Sequence, residues 1–122
     1  MSTISVDTVE DRSAGESVDA AYLVHGSLKA WAALDGSTST AKDSLNVSSI
    51  DDDGTGDWGV NMTSAFGTSA GYVVTTSAGD SDHQILVNDG QAASAFELHC
   101  RESTTSPTDA ERASAMAAGA LA

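Results

Sequence analysis

Apolar and polar residues alternate along most of this chain, in short segments separated by turns rich in glycine, serine and aspartate. A period of two is typical of strands that bury one face, and no strand–helix–strand pattern interrupts the series. The strands predicted in the body of the chain lie at Leu28–Leu34, Leu45–Ile50, Trp58–Met62, Tyr72–Ser77, Gln84–Asn88 and Ala95–Arg101.

The number and spacing of these segments indicate the fold class. With a further strand at the C-terminus, the count is about seven, each bounded by turn residues. This pattern favours an all-β fold, namely a small antiparallel β-sandwich, with a small barrel as the alternative. A length of 122 residues suits one such domain. We expect a sandwich domain over residues 26–122 and an extended, anchoring N-terminal arm over residues 1–25.

The clearest turn is Asp51-Asp-Asp-Gly-Thr-Gly-Asp57. Gly54 and Gly56 permit positive φ and the aspartates tolerate turn conformations, so the sequence predicts a hairpin. Just before this turn, the step from Val47 to Ile50 breaks the period of two. Such a break indicates a bulge or the end of a strand.

The N-terminal arm has too few apolar residues to form a core. Ile4 and Val6 alternate with polar residues, which predicts a short strand. We expect the arm to lie on a neighbouring subunit or on another protein. The alternative is a disordered tail, because chain termini are often loose.

The C-terminal segment, residues 109–121, supports two predictions. Its helix propensity is high, and Thr108 or Asp109 could cap a helix there. Its alanines, however, would give such a helix almost no apolar stripe to bury. The alternative is a final strand near Ala113 to Ala118 that completes a sheet.

Charge and composition exclude several classes of partner. The formal net charge is −13, from 18 acidic against 5 basic residues, so we expect neither nucleic acid nor an anionic membrane as a partner.

The aromatic residues available for a core are few, with two each of Trp, Tyr and Phe, and such a thin core favours an oligomer. No apolar run has the length of a membrane span, and no secretory signal is present, so we expect assembly in a cytosol.

The two tryptophans, Trp31 and Trp58, are predicted to lie on adjacent strands and to pack together in the core. The alternative is an exposed pair that binds sugars. The single cysteine, Cys100, excludes an intramolecular disulfide.

Candidate metal ligands do not follow a known spacing. The acidic turn partly matches a calcium loop, but Met62 stands where a bidentate glutamate is required. A calcium site of carboxylates at residues 51–57 stays open as an alternative. His99 and Cys100 face opposite sides of a predicted strand, and the histidine and cysteine residues do not have the sequence spacing of known zinc sites. We therefore predict no metal and no cofactor.

The sequence also lacks a nucleophile elbow and a phosphate-binding loop, so we predict no enzymatic activity.

Several short motifs follow one another along the chain. They are Lys29-Ala-Trp31, Asp35-Gly36, Leu45-Asn-Val-Ser-Ser-Ile50, Asp53-Gly-Thr-Gly-Asp57, Trp58 and Tyr72-Val-Val74. This series resembles a pattern that is common in structural proteins of tailed bacteriophages, in which Lys-Ala-Trp is followed by Asn/Asp-Gly, a Leu/Phe-Asn-Val-Ser-Ser-Ile segment, Gly-Thr-Gly and a strand. The N-terminal residues 4–15 also resemble the opening of phage fibre proteins.

The resemblance implies a β-rich, trimeric protein that works by binding rather than by catalysis. It also favours the strand over the helix at the C-terminus. The chain lacks the heptads, the collagen-like repeat and the shaft of long fibres, which fits a compact cap better. The alanine-rich C-terminus departs from family members, which often end with bulkier residues.

The resulting hypothesis is a homotrimeric capsid cement or decoration protein at the virion surface, assembled in the host bacterial cytoplasm. Its partners would be itself and the major capsid protein or other virion proteins. The first alternative is a short tail fibre or tail-tip knob that binds the host receptor, and the second is an acidic, calcium-dependent binding module. The structural and interface candidates are Ile4, Val6, Trp31, Val47, Ile50, Gly54, Gly56, Trp58 and Tyr72.

Overall fold

The computed structural model describes residues 2–10, 17–79, 84–87, 90–102 and 106–122. Within them the protein is a two-layer antiparallel β-sandwich, and no helix there has the length and hydropathy that a membrane crossing needs. Its elements are β1 (Thr8–Glu10), β2 (Ser17–Asp19), α1 (Ala20–Gly26), β3 (Leu28–Asp35), β4 (Thr40–Leu45), β5 (Val47–Gly54), β6 (Asp57–Met62), β7 (Tyr72–Ala78), β8 (Gln84–Val87), β9 (Ala95–Arg101) and β10 (Ala113–Gly119).

Two four-stranded sheets form the layers. The first sheet has the spatial order β4-β3-β10-β7, and the second has the order β5-β6-β9-β8. All paired neighbours are antiparallel. The predicted all-β sandwich is therefore confirmed. It has eight strands in its two sheets, one more than predicted. Of the predicted strand Leu45–Ile50, only Leu45 belongs to β4 (Thr40–Leu45), which was otherwise missed, and residues 47–50 belong to β5.

Asn46 makes this division. Its φ of 57° turns the chain out of β4 in the first sheet and into β5 in the second. Asparagine tolerates this left-handed conformation better than most residues. Its side chain is held from both ends, since Ser64 N donates to Asn46 Oδ1 at 2.7 Å and Asn46 Nδ2 donates to Ser64 O at 3.0 Å. The break in the period of two lies further on, between Val47 and Ile50. There β5 continues, and its register with β6 shifts between Val47 and Ser49, which agrees with the predicted bulge and not with a strand end.

The C-terminal segment is a strand, which confirms the prediction that the resemblance favoured. β10 lies in the middle of the first sheet, between β3 and β7. Ala113, Ala115 and Ala117 point inward and are buried. Alanines at a period of two bury a complete strand face, whereas the same residues in a helix would bury only a small stripe.

The inner faces of the two sheets differ in the size of their side chains. The first sheet contributes mainly small residues from its central strands, β3 and β10, and the second sheet contributes large ones. Side chains of facing sheets interdigitate, so small residues on one side leave room for large residues on the other. The core comprises Ala30, Ala32, Leu34, Trp58, Val60, Met62, Phe66, Tyr72, Ile85, Phe96, Leu98, Cys100, Ala110, Ala113, Ala115 and Ala117.

Trp58 joins the two layers. It is completely buried, and its indole lies against Gly36, where a Cβ would come within 2.6 Å of the ring. The indole Nε1 donates to Ser39 Oγ at 3.3 Å, in the turn between β3 and β4. That turn is fixed by Asp35, whose pKa is lowered by a hydrogen bond from the Ser37 hydroxyl and by the Lys42 ammonium.

Tyr72 makes a second connection between the layers. Its ring stacks on the buried ring of Phe66, with centroids 4.1 Å apart. Its hydroxyl lies 2.7 Å from Ala92 O and 2.9 Å from Ala95 O and donates to these carbonyls. β7 of the first sheet is thereby tied to the start of β9 in the second.

The predicted hairpin is confirmed between β5 and β6. Gly54 and Gly56 have φ values of 138° and 68°, which glycine adopts without strain. Gly56 N donates to Asp109 Oδ1 at 2.7 Å, and a Cβ at this glycine would lie 2.4 Å from Cys100 O. The turn therefore packs closely against the end of β9.

The N-terminal segment differs from the extended arm that was predicted. β1 and β2 pair with Val9 opposite Val18, and α1 follows directly. The strand predicted at Ile4 and Val6 is wrong, because both residues precede β1 and lie outside any strand. A short hairpin satisfies backbone groups locally, which an extended chain cannot do without a partner. The division into an arm and a domain at residue 26 stays a prediction.

We expect that Ala115→Leu overpacks the core and lowers the free energy of unfolding by about 1–3 kcal/mol. Ala115 faces the large side chains of the second sheet and is 2% exposed. The matched control is Ser114→Leu, which adds a leucine on the outward side of the same strand and should cost about 0.5 kcal/mol or less. Urea denaturation measures both. Equal costs for the two variants would contradict a tightly packed inner face.

Alkaline stability should depend on Tyr72. Burial raises its pKa from 10.0 to about 12. The stability that this shift contributes is therefore fully present below pH 10 and is lost as the pH rises through about 12. Tyrosinate absorbance and circular dichroism, followed together against pH, should show ionisation of Tyr72 coupled to unfolding. If Tyr72→Phe had the same alkaline dependence as the unaltered protein, another group would be responsible.

Candidate functional site

The outward side of the first sheet carries large apolar side chains in rows. Leu45, Trp31 and Met116 are register neighbours on β4, β3 and β10 and form one row. Leu28 and Val73 flank β10 in an adjacent row. Val73 is 67% exposed, Trp31 is partly buried and the others are about half exposed. We call these five residues the outer apolar face.

The N-terminal segment, residues 2–26, adds more exposed apolar side chains. Its helix α1 begins after Asp19, whose Oδ1 accepts a hydrogen bond from Ala21 N at 2.8 Å. No residue of α1 is buried, although the helix lies beside β10. The exposed apolar residues of this segment are Ile4, Val6, Val9, Tyr22, Leu23 and Val24.

The nine interface candidates fall into different places. Ile4 and Val6 are exposed in the N-terminal segment, at 88% and 50%. Val47 and Ile50 are partly buried and pack against the core. The two glycines form the hairpin turn, Trp58 and Tyr72 belong to the core, and Trp31 lies on the outer apolar face. The structure thus divides the set into surface residues and core residues.

The predicted packing of the two tryptophans against each other is wrong. Trp31 is on β3 in the first sheet, whereas Trp58 is on β6 in the second. In β3 the inward positions belong to Ala30, Ala32 and Leu34, so the alternation places Trp31 outward. The prediction assumed that the largest side chain of a strand faces inward.

Most residues of the outer apolar face were not predicted from the sequence. Met116 is the one large residue in the alanine-rich strand and stands out of phase with Ala113, Ala115 and Ala117. Val73 is likewise out of phase with the buried Tyr72. The alternation of residues along each strand contains this information. It identifies the outward residues, however, only when it is known which residues of each strand face the core.

The outward side of the second sheet is acidic. Asp51 and Asp53 extend over Gly59, where a Cβ would lie 3.7 Å from Asp51 Oδ2 and 3.2 Å from Asp53 Oδ2. Asn61 Nδ2 holds Asp51 by donating to Oδ2 at 2.7 Å. The bare glycine leaves room for carboxylates above the centre of the sheet.

Three metal-ligand side chains converge on this acidic side. Asp57 on β6 is the register partner of His99 on β9, and Glu97 lies two residues before His99. His99 Nε2 is 3.3 Å from Asp57 Oδ1 and 3.7 Å from Glu97 Oε2. One donor atom from each residue lies within 4.8 Å of the other two. We call Asp57, Glu97 and His99 the carboxylate–histidine cluster.

The cluster was not predicted as a unit. The alternation in β9 correctly placed Glu97 and His99 on one face and Cys100 on the other, where Cys100 is buried. Asp57 was assigned to the hairpin turn, and its pairing with His99 depends on the register of β6 and β9. Among the described residues, this is the one group of three that converges on a point, and the acidic turn forms none by itself.

No protein-family model, no curated protein and no solved structure matches this chain when it is compared with known proteins. The resemblance to phage structural proteins therefore stays a prediction, as does the expectation that the chain is not an enzyme.

The two tryptophans should respond differently to substitution. Trp58→Ala leaves a large cavity and should lower the free energy of unfolding by about 3–5 kcal/mol. Trp31→Ala removes a side chain from the outward face and should cost about 1 kcal/mol or less in the monomer. Denaturant titration at low protein concentration measures both.

Fluorescence quenching provides a control that does not depend on stability. At a protein concentration low enough for the chain to be monomeric, the remaining Trp31 of Trp58→Phe should be quenched readily by acrylamide, and the remaining Trp58 of Trp31→Phe should be protected. Equal quenching of the two single-tryptophan proteins would contradict the assignment of opposite faces.

Proposed function

We propose that this chain is a non-enzymatic structural protein of a tailed-bacteriophage virion, where it acts as a homotrimeric capsid cement or decoration protein. The observation that carries the proposal is the outer apolar face. A contiguous exposed apolar surface is typical of a protein that binds another protein. The phage-like motifs support the virion as the setting.

The size of the apolar face bears on how the trimer would form. Completing the burial of five half-exposed side chains contributes about 1 kcal/mol each, or about 5 kcal/mol in all. Association costs about 4–15 kcal/mol in lost freedom of motion. The free energy gained by burying the outer apolar face alone is therefore only comparable with the cost of association. The exposed apolar side chains of the N-terminal segment would supply the remainder, which is the anchoring role that we propose for it.

The charge supports a protein partner. A net charge of −13 disfavours contact with packaged nucleic acid and leaves the major capsid protein or another virion protein as the partner. A protein that binds only the assembled shell shifts the equilibrium towards assembly and so stabilises the particle. We place it on the virion surface, after assembly in the host bacterial cytoplasm.

Association should depend on the outer apolar face. Met116→Lys puts a charge in the middle of this face, since Met116 is the register partner of Trp31. We expect a trimer for the unaltered protein in sedimentation experiments and a monomer for Met116→Lys. The matched control, Thr38→Lys, adds the same charge in an exposed turn and should stay trimeric. A stable monomer for the unaltered protein would refute the trimer.

The virion role needs a separate measurement on particles that carry the protein. Labelled imaging should place many copies on the head, and particles stripped of the protein should lose resistance to heat or pressure. Unchanged resistance would remove the cement function. If antibody against this chain blocked adsorption while the particles stayed intact, a short tail fibre or tail-tip knob would replace it.

A further inference from the structure

The carboxylate–histidine cluster on the second sheet has no part in the proposed virion role. We propose that Asp57, Glu97 and His99 bind a divalent transition-metal ion of the zinc type. The inference goes beyond the proposed function and does not rest on it. It also departs from our sequence-based prediction of no metal, because the ligand set becomes visible only when β6 and β9 are paired.

The distances within the cluster are close to those between ligands of one metal ion. Zinc lies about 2.0–2.2 Å from imidazole nitrogen and carboxylate oxygen, so two donors in a tetrahedral site are about 3.3–3.6 Å apart. His99 Nε2 is 3.3 Å from Asp57 Oδ1 and 3.7 Å from Glu97 Oε2, and one donor atom from each of the three residues lies within 4.8 Å of the other two. Only small side-chain movements would therefore bring the three donors around one ion.

Asp57 Oδ1 supplies the second observation. This oxygen is shielded from solvent, and among the described residues it finds no hydrogen-bond partner, even though His99 Nε2 is near. A buried carboxylate oxygen without a partner costs free energy. A metal ion bound between Asp57 Oδ1 and His99 Nε2 would give this oxygen a partner.

The three ligands are held by the sandwich itself. β6 and β9 are the two central strands of the second sheet. Trp58 and Leu98, which alternate with the ligands along these strands, are completely buried and fix the backbone beneath them. The backbone at Gly90 lies close against the Glu97 carboxylate, where an added Cβ would leave no space. Ligands on such rigid elements need little ordering when the ion binds.

The surrounding charge attracts a cation. Asp51 and Asp53 lie over Gly59, in the strand that carries Asp57. Arg101, two residues beyond His99 and on the same side of β9, is the opposing charge. Asp51, Asp53 and the two carboxylates of the cluster thus place four negative charges near the His99 imidazole, against the one positive charge of Arg101. Such a field raises the local concentration of a divalent cation.

The ligand types select the class of ion. Imidazole suits zinc and other late first-row metals, whereas calcium requires six to eight oxygen ligands and magnesium an octahedral shell of oxygens. Three protein ligands leave a fourth tetrahedral position, which water can fill. The ion would clamp β6 to β9 and neutralise part of the acidic side. Its expected effect is therefore a more stable sandwich.

The test uses the full chain, freed of metal by a chelator and titrated with zinc chloride in a calorimeter. We expect one zinc ion per chain and a rise in melting temperature of roughly 10 °C at 100-fold excess over the dissociation constant. Calcium and magnesium chloride should leave the melting temperature unchanged. Nuclear magnetic resonance should show the ring signals of His99 shifting on zinc addition.

Matched variants distinguish this site from adventitious binding. His99→Gln, Asp57→Asn and Glu97→Gln should each weaken zinc binding about tenfold or more, by loss of one ligand. His25→Gln removes a histidine from α1, outside the cluster, and should bind as the unaltered protein does. Circular dichroism of the zinc-free proteins checks that each variant is folded.

Several outcomes would overturn the proposal. Absence of zinc binding up to about 1 mM, well above the range of structural sites, would reduce the cluster to an ion pair between His99 and the carboxylates. Zinc binding that survives all three cluster variants, or that is lost in His25→Gln, would place the ion elsewhere. A calcium response equal to the zinc response would assign the site to the acidic residues alone.

Discussion

The structure depends on an unequal division of volume between the two halves of its core. Ala30, Ala32 and Ala115 of the first sheet face a second sheet that contributes Trp58 and Phe96. Facing sheets lie about 10 Å apart, and their side chains interdigitate at high packing density. The large side chains of the second sheet therefore occupy the volume that the alanines leave. Trp58 reaches the turn between β3 and β4 only because Gly36 has no side chain there.

This division also determines the two outer surfaces. In the central strands of the first sheet the inward positions are mainly small residues, and the large residues Trp31 and Met116 of the same strands point outward. In the second sheet the large residues are inside, and carboxylates occupy the outward positions of β6 and β9. The sandwich thus presents one apolar side and one acidic side. The first suits association with protein, and the second suits a cation.

The candidate sites show where reasoning from sequence succeeds and where it stops. The opposite faces of His99 and Cys100 followed from alternation in β9, because the direction of successive side chains is a property of a single strand. Their relation to Asp57 did not follow, because it depends on the register between β6 and β9, in which Asp57 pairs with His99, 42 positions further along the chain. The outer apolar face was missed for the same kind of reason. Its members come from four strands whose order in the sheet no local pattern encodes.

The sequence by itself determined the all-β character of the protein, the hairpin at Gly54 and Gly56, and the inward phase of the strands that begin at Trp58 and Ala95. Each of these depends on neighbouring residues and on the backbone preferences of glycine, aspartate and β-branched side chains. Only the tertiary structure decided that Trp31 faces outward, that β10 occupies the centre of a sheet, and that Asp57 meets His99. These features depend on contacts between distant segments, where competition for space in the core outweighs local preference.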